Sequence, residues 1–204
     1  MPPPRAFRTP TPARAFAPTA GVNAASLTLH HYPHPVLRAP GLPIEEVDAV
    51  VRAVAQRMFA IMHAHKGIGL AAPQAGLAWR LFVLDVPQDR AEEDGPTDGD
   101  LPVYSRGAMV FVNPELEVPR GNIEPYEEGC LSLPGIRGDV LRPATVRVKA
   151  LDEHGAPFEM EAAGLLARCI QHEFDHINGV LILDKLTASA RTKNRRAIRA
   201  LEGE

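Results

Sequence analysis

A chain of 204 residues with 45% hydrophobic content holds enough apolar material for one packed domain without disulfide staples. Its formal charge of −3 gives no global drive toward nucleic acid or an anionic membrane, and no apolar run approaches the length of a bilayer span. Two cysteines, Cys130 and Cys169, are too few for a disulfide framework and fit a reducing compartment.

Residues 1–26 are rich in Pro, Ala, Thr and Arg, and no acidic residue occurs before Glu45. They contain no apolar segment of the secretory kind. Arg5, Arg8 and Arg14 without acids resemble an organelle transit peptide. Pro2, Pro3, Pro4, Pro10, Pro12 and Pro18 oppose the amphipathic helix such peptides need, so a disordered extension is the favoured reading. His30, His31 and His34 lack a metal-ligand spacing, and the prolines around them predict an extended segment and turn.

Pro43 to Ala64 reads as an amphipathic helix with Val47, Val50, Val51, Val54, Met58, Ile61 and Met62 on its apolar stripe. Glu45, Glu46 and Asp48 suit its N-terminal end. Gly67-Ile68-Gly69-Leu70-Ala71-Ala72-Pro73-Gln74 then breaks the helix with small residues that let a ligand approach the backbone. As a phosphate loop it is weak, because it lacks the Gly-Lys-Ser/Thr ending. Trp79–Val86, Ala108–Val112, Thr145–Leu151 and Pro157–Ala162 have the β-branched and aromatic content of strands. Between the first two, Pro87 to Gly107 is polar and acidic and reads as a solvated loop.

Gln171-His172-Glu173-Phe174-Asp175-His176 carries the chemistry. Leu165, Leu166, Cys169 and Ile170 precede it at helical spacing, so His172 and His176, four residues apart, share a helix face and can present two imidazoles to one ion. Glu173 stands where a carboxylate reaches water held at that ion without being a ligand. Gly179 is a fitting helix stop. Two histidines on a surface helix can also be merely structural. The motif supplies only two ligands, and the usual protease completions fail. The H-E-x-x-H-x-x-G-x-x-H pattern would need a histidine at Ile182, and no Glu follows the motif until Glu202. The third ligand is therefore sought upstream, where Cys130 in Glu127-Glu128-Gly129-Cys130-Leu131-Ser132-Leu133-Pro134-Gly135 is the candidate. A thiolate with two imidazoles suits zinc or ferrous iron and leaves a position open. A buried free cysteine, or a thiol nucleophile paired with a histidine, are the alternatives.

Three motifs standing in order resemble those of the peptide deformylases: Gly67-Ile68-Gly69-Leu70-Ala71-Ala72-Pro73-Gln74, Glu128-Gly129-Cys130-Leu131-Ser132 and Gln171-His172-Glu173-Phe174-Asp175-His176. Tyr32-Pro33-His34-Pro35-Val36-Leu37-Arg38 is similar to that family's opening, so the resemblance runs from about His30 to the C-terminal helix. It implies an α+β fold: antiparallel or mixed sheets packed around a central helix carrying H-E-x-x-H, with an N-terminal and a C-terminal helix. Residues 27–204 would form a single catalytic domain. It implies Cys130, His172 and His176 as metal ligands and Glu173 as general acid and base. Gln74 and the Leu131 N–H would stabilise an oxyanion. Gly69, Glu128 and Gly129 would align a peptide through strand-like hydrogen bonds. Ile68, Leu131 and Cys169 would line a pocket for methionine, and Arg142 would partner Glu128.

The implied reaction is hydrolysis of the formyl group from the formyl-methionine of new polypeptides. The implied ion is Fe²⁺, with Zn²⁺, Ni²⁺ or Co²⁺ as substitutes. Rival readings are a general metallopeptidase and a closed structural metal module, the latter needing a fourth protein ligand. The basic C-terminal segment Lys185–Leu201, with Arg191, Lys193, Arg195, Arg196 and Arg199, reads as a solvated helix face or a contact with ribosomal RNA. No membrane and no specific DNA partner is expected. A bacterial cytoplasm is the first expectation for location, a plastid or mitochondrial interior the second.

Overall fold

The computed structural model describes residues 15–92, 100–118 and 122–203. Helix α1, Ala49–Ala64, starts later than the apolar pattern predicts, because the Asp48 side chain accepts from Val51 N at 2.8 Å and caps it there. Strand β1, Gly69–Ala71, and a 3-10 turn, Ala72–Ala75, follow in the glycine-rich stretch. Then come β2, Leu81–Leu84, α2, Gln88–Glu92, and β3, Met109–Glu117. The hairpin β4, Ile123–Gly129, and β5, Arg137–Pro143, precedes β6, Thr145–Leu151, and β7, Pro157–Ala163. The chain ends in α3, Gly164–Ile177, the short α4, Ile182–Lys185, and α5, Ala188–Glu202.

Five strands form one sheet in the order β1-β2-β3-β6-β7, and β4 and β5 form a second. Among the described residues every ladder is antiparallel, so of the two alternatives the antiparallel one is formed there. Strand β2 is buried on both faces, and its alternation sorts the core. Leu81 and Val83 face α1 with Val54, Met58 and Met62, whereas Phe82 and Leu84 face α3 with Phe111, Val148, Leu166 and Ile170. Burying each such side chain contributes roughly 1.5–3 kcal/mol, so the sheet holds the two helices at fixed positions on opposite faces. A third cluster, with Leu133, Ile136, Val140, Leu183 and Ile198, seats α4 and α5 on β5.

Strand β3 bulges between Val112 and Glu115, where Asn113 takes φ +52°. Its amide accepts from Ile44 N at 2.8 Å and donates to Ile44 O at 2.7 Å, so a residue tolerant of left-handed backbone also ties down the segment leading to α1.

Three expectations need correction or delimiting. The solvated loop of 87–107 begins with α2, which buries Ala91, and ends with Ser105 bonded to Val86 N at 2.9 Å; residues 93–99 lie outside the described residues. In the 1–26 segment, residues 1–14 also lie outside them. Residues 15–26 are packed, since Ala17 is buried, its N–H donates to Pro43 O at 2.8 Å, and Ala24–Ser26 form a 3-10 turn. The prolines that oppose a helix do not oppose an extended strap. Finally, β4 and β5 were not recognised as strands.

Candidate metal centre and active site

The left-handed Gly164, at φ +54°, turns the chain from β7 into α3, whose inner face carries Cys169, His172, Glu173 and His176. The two imidazoles approach edge to face with centroids 5.0 Å apart. Cys130 follows directly on β4, and pairing of β4 with β5 fixes its approach to α3. Its Sγ stands 3.2 Å from His176 Nε2, and the donor atoms of Cys130, His172 and His176 lie within 4.8 Å of one another. One ion can bridge that spacing, and among the described residues no fourth His, Cys, Asp or Glu joins the group.

Each imidazole is prepared differently. His172 Nδ1 donates to Glu128 Oε2 at 3.0 Å, which leaves Nε2 for another partner. His176 Nδ1 is buried without a hydrogen-bond partner among the described residues, and burial together with the nearby His172 holds the His176 ring well below its usual basicity, so it stays neutral. A thiolate with two imidazoles is the donor set of a transition metal such as Zn²⁺ or Fe²⁺, and the residues fit such an ion, which would replace the proton that, against burial, the hydrogen bonds to Cys130 and Glu128 favour on His172.

Behind them lies a buried ionic network. Glu128 accepts from Arg142 Nε at 2.6 Å and Nη2 at 3.0 Å and from Arg168 Nη1 at 3.1 Å, while Arg142 Nη1 reaches Asp175 at 2.8 Å. Burial would raise the Glu128 carboxyl, but the hydrogen bonds from His172 and Arg142 prevail and hold it down at about 2. The anticipated Arg142–Glu128 pair is therefore present, and Arg168 and Asp175 join it.

Glu173 sits in the opposite electrostatic setting. Burial pushes its carboxyl up to about 7, against the pull of His172 and Arg142, and its Oε2 has no hydrogen-bond partner among the described residues. A buried unsatisfied acceptor costs roughly 1–3 kcal/mol, which marks a position prepared for something outside the protein. Gly69 makes room for it: a Cβ there would stand 2.5 Å from Glu173 Oε1 and 2.8 Å from Cys169 Sγ.

Gln74 is buried in the 3-10 turn, where its Oε1 accepts from Ala71 N at 2.8 Å. That bond fixes the amide so that Nε2 faces Ser132 Oγ at 3.2 Å and Cys130 Sγ at 3.5 Å. The Leu131 N–H has no acceptor among the described residues. A cavity of about 350 Å³ opens over these groups. Ile68, Gly69, Gln74, Glu128, Gly129, Cys130, Leu131, Cys169, His172 and Glu173 all line it, and of the anticipated site residues only His176 lies behind the wall. Tyr126, Leu165 and Arg168 also line the cavity and went unanticipated. The i−4 spacing of Arg168 from His172 and the i−2 spacing of Tyr126 from Glu128 were the available signals. His30 and His34 lie outside this site, their rings in contact at a 46° tilt with centroids 4.3 Å apart.

Residues 26–192 match the family model for polypeptide deformylase. A peptide deformylase of Azotobacter vinelandii is 44% identical over 174 residues, covering 85% of this chain and 95% of its own. One of Pseudomonas aeruginosa is 42% identical over the same length and shares. Among solved structures, the peptide deformylase of Ehrlichia chaffeensis in complex with actinonin superposes with a TM-score of 0.75 at 33% identity, over 87% of this chain and 96% of its own. A plant peptide deformylase also gives 0.75, at 36% identity, over 87% and 90%.

Proposed function

The chain belongs to the peptide deformylase family, and we propose that Cys130, His172 and His176 hold the metal ion on which its hydrolysis depends. It is a peptide deformylase, a hydrolase that removes the formyl group from the N-terminal formyl-methionine of newly made polypeptides and releases formate. In this reading α3 is the central helix of the catalytic domain proposed for residues 27–204, onto which residues 15–26 pack. Its packing against β1, β2, β5, β6 and β7 supports that role.

When bound, the ion supplies a positive charge that acidifies water and polarises the formyl oxygen. Glu173 accepts a proton from the attacking water as its oxygen bonds to the formyl carbon, and a carboxyl held near neutrality suits both halves of that exchange. Gln74 Nε2 and the Leu131 N–H face the charge that grows on the formyl oxygen, and donors fixed beforehand act most strongly on charge as it develops. The carbon–nitrogen bond then breaks, Glu173 returns its proton to the amine, and formate departs. Gly69 and the backbone of Glu128 and Gly129 flank the substrate as strand partners, with Ile68, Leu131 and Cys169 around the methionine side chain.

The observation carrying this reading is the convergence of one sulfur and two imidazoles beside a buried carboxylate with an unpartnered oxygen. The test is hydrolysis of formyl-Met-Ala-Ser by the protein as purified and after metal exchange. Activity that tracks metal content supports the reading, and full activity after exhaustive chelation defeats it. Fe²⁺ is proposed as the native ion, with Zn²⁺, Ni²⁺ or Co²⁺ able to replace it. Metal analysis of anaerobically prepared protein, and loss of activity in air, are its tests. The basic face of α5 is proposed to meet the ribosome in a bacterial cytoplasm. Among the described residues no helix is long and apolar enough to cross a membrane.

A further inference from the structure

The cavity over the proposed metal centre has an apolar lining and a charged mouth. Ile68, Leu131, Leu133, Leu165 and Cys169 contribute buried or half-buried side chains, whereas Lys66, Arg90, Glu127 and Arg137 are exposed. Among the described residues the charges at the mouth do not cancel. Arg137 Nε donates to Glu127 at 2.9 Å, and deeper in, Arg168 and Glu128 are engaged with each other. Lys66 and Arg90 also line the mouth, and neither has a carboxylate within ion-pair reach among the described residues. The chain as a whole is acidic, so the excess of basic groups among the described residues of the mouth is a local departure from its overall charge.

The backbone at Lys66 adds a second observation. This residue follows the end of α1 at φ +57°, with its N–H donating to His63 O at 3.0 Å. Glycine usually fills such a left-handed helix ending, because a side chain is strained there. Lysine occupies it directly before Gly67, where the cavity wall begins. Strain held at the edge of a cleft is a mark of function when the side chain it retains has something to meet.

We propose that Lys66 and Arg90 select formyl-methionyl peptides bearing aspartate or glutamate in the first two residues after the methionine. The proposal rests on the deformylase reading of the same cavity. With the formyl carbon beside Cys130 and Glu173 and the methionine among the apolar side chains, the following residues run out between the Gly69 wall and the Glu128–Gly129 wall. They leave past the two cations, whose attraction for a carboxylate is weak in water and screened by salt but additive along the exit.

The test compares formyl-Met-Ala-Ser, formyl-Met-Asp-Ser, formyl-Met-Ala-Asp and formyl-Met-Lys-Ser on the metal-loaded full chain. At low ionic strength kcat/KM is expected to be roughly three- to ten-fold higher for the aspartate peptides than for the alanine peptide, and lowest for the lysine peptide. The spread should contract as salt is raised. Lys66→Glu should invert the order of the Asp and Lys peptides. Lys66→Gly, which suits the left-handed backbone and so preserves the fold, should remove most of the preference, and adding Arg90→Ala should remove the rest. Equal or poorer hydrolysis of the acidic peptides, or a preference that survives the double variant, overturns the proposal while turnover of formyl-Met-Ala-Ser keeps the deformylase reading. No turnover of any of the four peptides overturns that reading and the proposal with it.

Discussion

At Glu128 three side chains converge: two guanidinium groups and an imidazole reach one buried carboxylate. Its carboxyl is held at about 2, below the ordinary 4.5, so its contribution to stability is complete above about pH 4.5 and is lost as pH falls toward 2. The lost stability is on the order of 3 kcal/mol. Urea unfolding with chelator present throughout should show this fall in the wild type and a flatter profile in Glu128→Gln. Glu173 is elevated instead, to about 7, and a bound cation can only favour its ionised form. The acid limb of the pH–rate profile should thus lie at or below about 7. Glu173→Ala should retain metal, measured by elemental analysis, yet lower kcat by roughly 10²–10⁴-fold. Gly69→Ala should do comparable harm and lower stability as well, because its methyl group would meet both the Glu173 carboxylate and the buried Cys169 sulfur. The pattern of His172, Glu173 and His176 was readable because a helix repeats a face every fourth residue. Arg168 was not, since a buried arginine looks like any surface arginine until its carboxylate partner is known.

At the level of elements, α3, β6 and β7 were legible from periodicity and β-branched content, and their observed bounds fall within a residue or two of expectation. The hairpin β4–β5 was not. In β5 the inward positions are Gly138, Val140 and Arg142, so the alternation is real but reads as polar at the place where the arginine turns in to meet Glu128. Strand β4 carries Pro125, which is tolerated because this sheet has only two strands. The link after α3 is as demanding as the helix itself. Gly179 adopts φ +74°, and a Cβ there would lie 2.6 Å from the Arg38 carbonyl oxygen. Gly179→Ala should destabilise the protein by about 1–3 kcal/mol in thermal unfolding and loosen the segment from which Arg38 contacts Asp184.

The whole molecule places chemistry where remote parts of the chain meet: the turn bearing Gln74, the strand end at Cys130 and the inner face of α3. Composition could not reveal that meeting; three short motifs in order did. Because the proposed ligands come from a strand end and a helix, metal binding should stabilise the native state alone. At an ion concentration 100 times Kd the gain is about 2.7 kcal/mol, so chelation should lower Tm by roughly 5–10 °C. The C-terminal helix is tied to the same body, since Ile198 packs with Leu133 and Ile136, and Tyr32 Oη donates to Glu202 at 2.8 Å. Its arginines thus face outward from a fixed platform. If they meet the ribosome, co-sedimentation should weaken steeply as salt rises, and an association indifferent to salt would argue for another contact.

The two sulfur atoms occupy unlike positions. Cys130 is half-buried at the cavity, whereas Cys169 is buried behind Gly69, with its thiol pushed well above the usual range by burial. An alkylating reagent should therefore count them one at a time: one equivalent of iodoacetamide taken up by the native chelated protein, a second only after unfolding, and none at Cys130 while an ion shields it. Following incorporation by mass would turn a simple labelling experiment into a gauge of site occupancy.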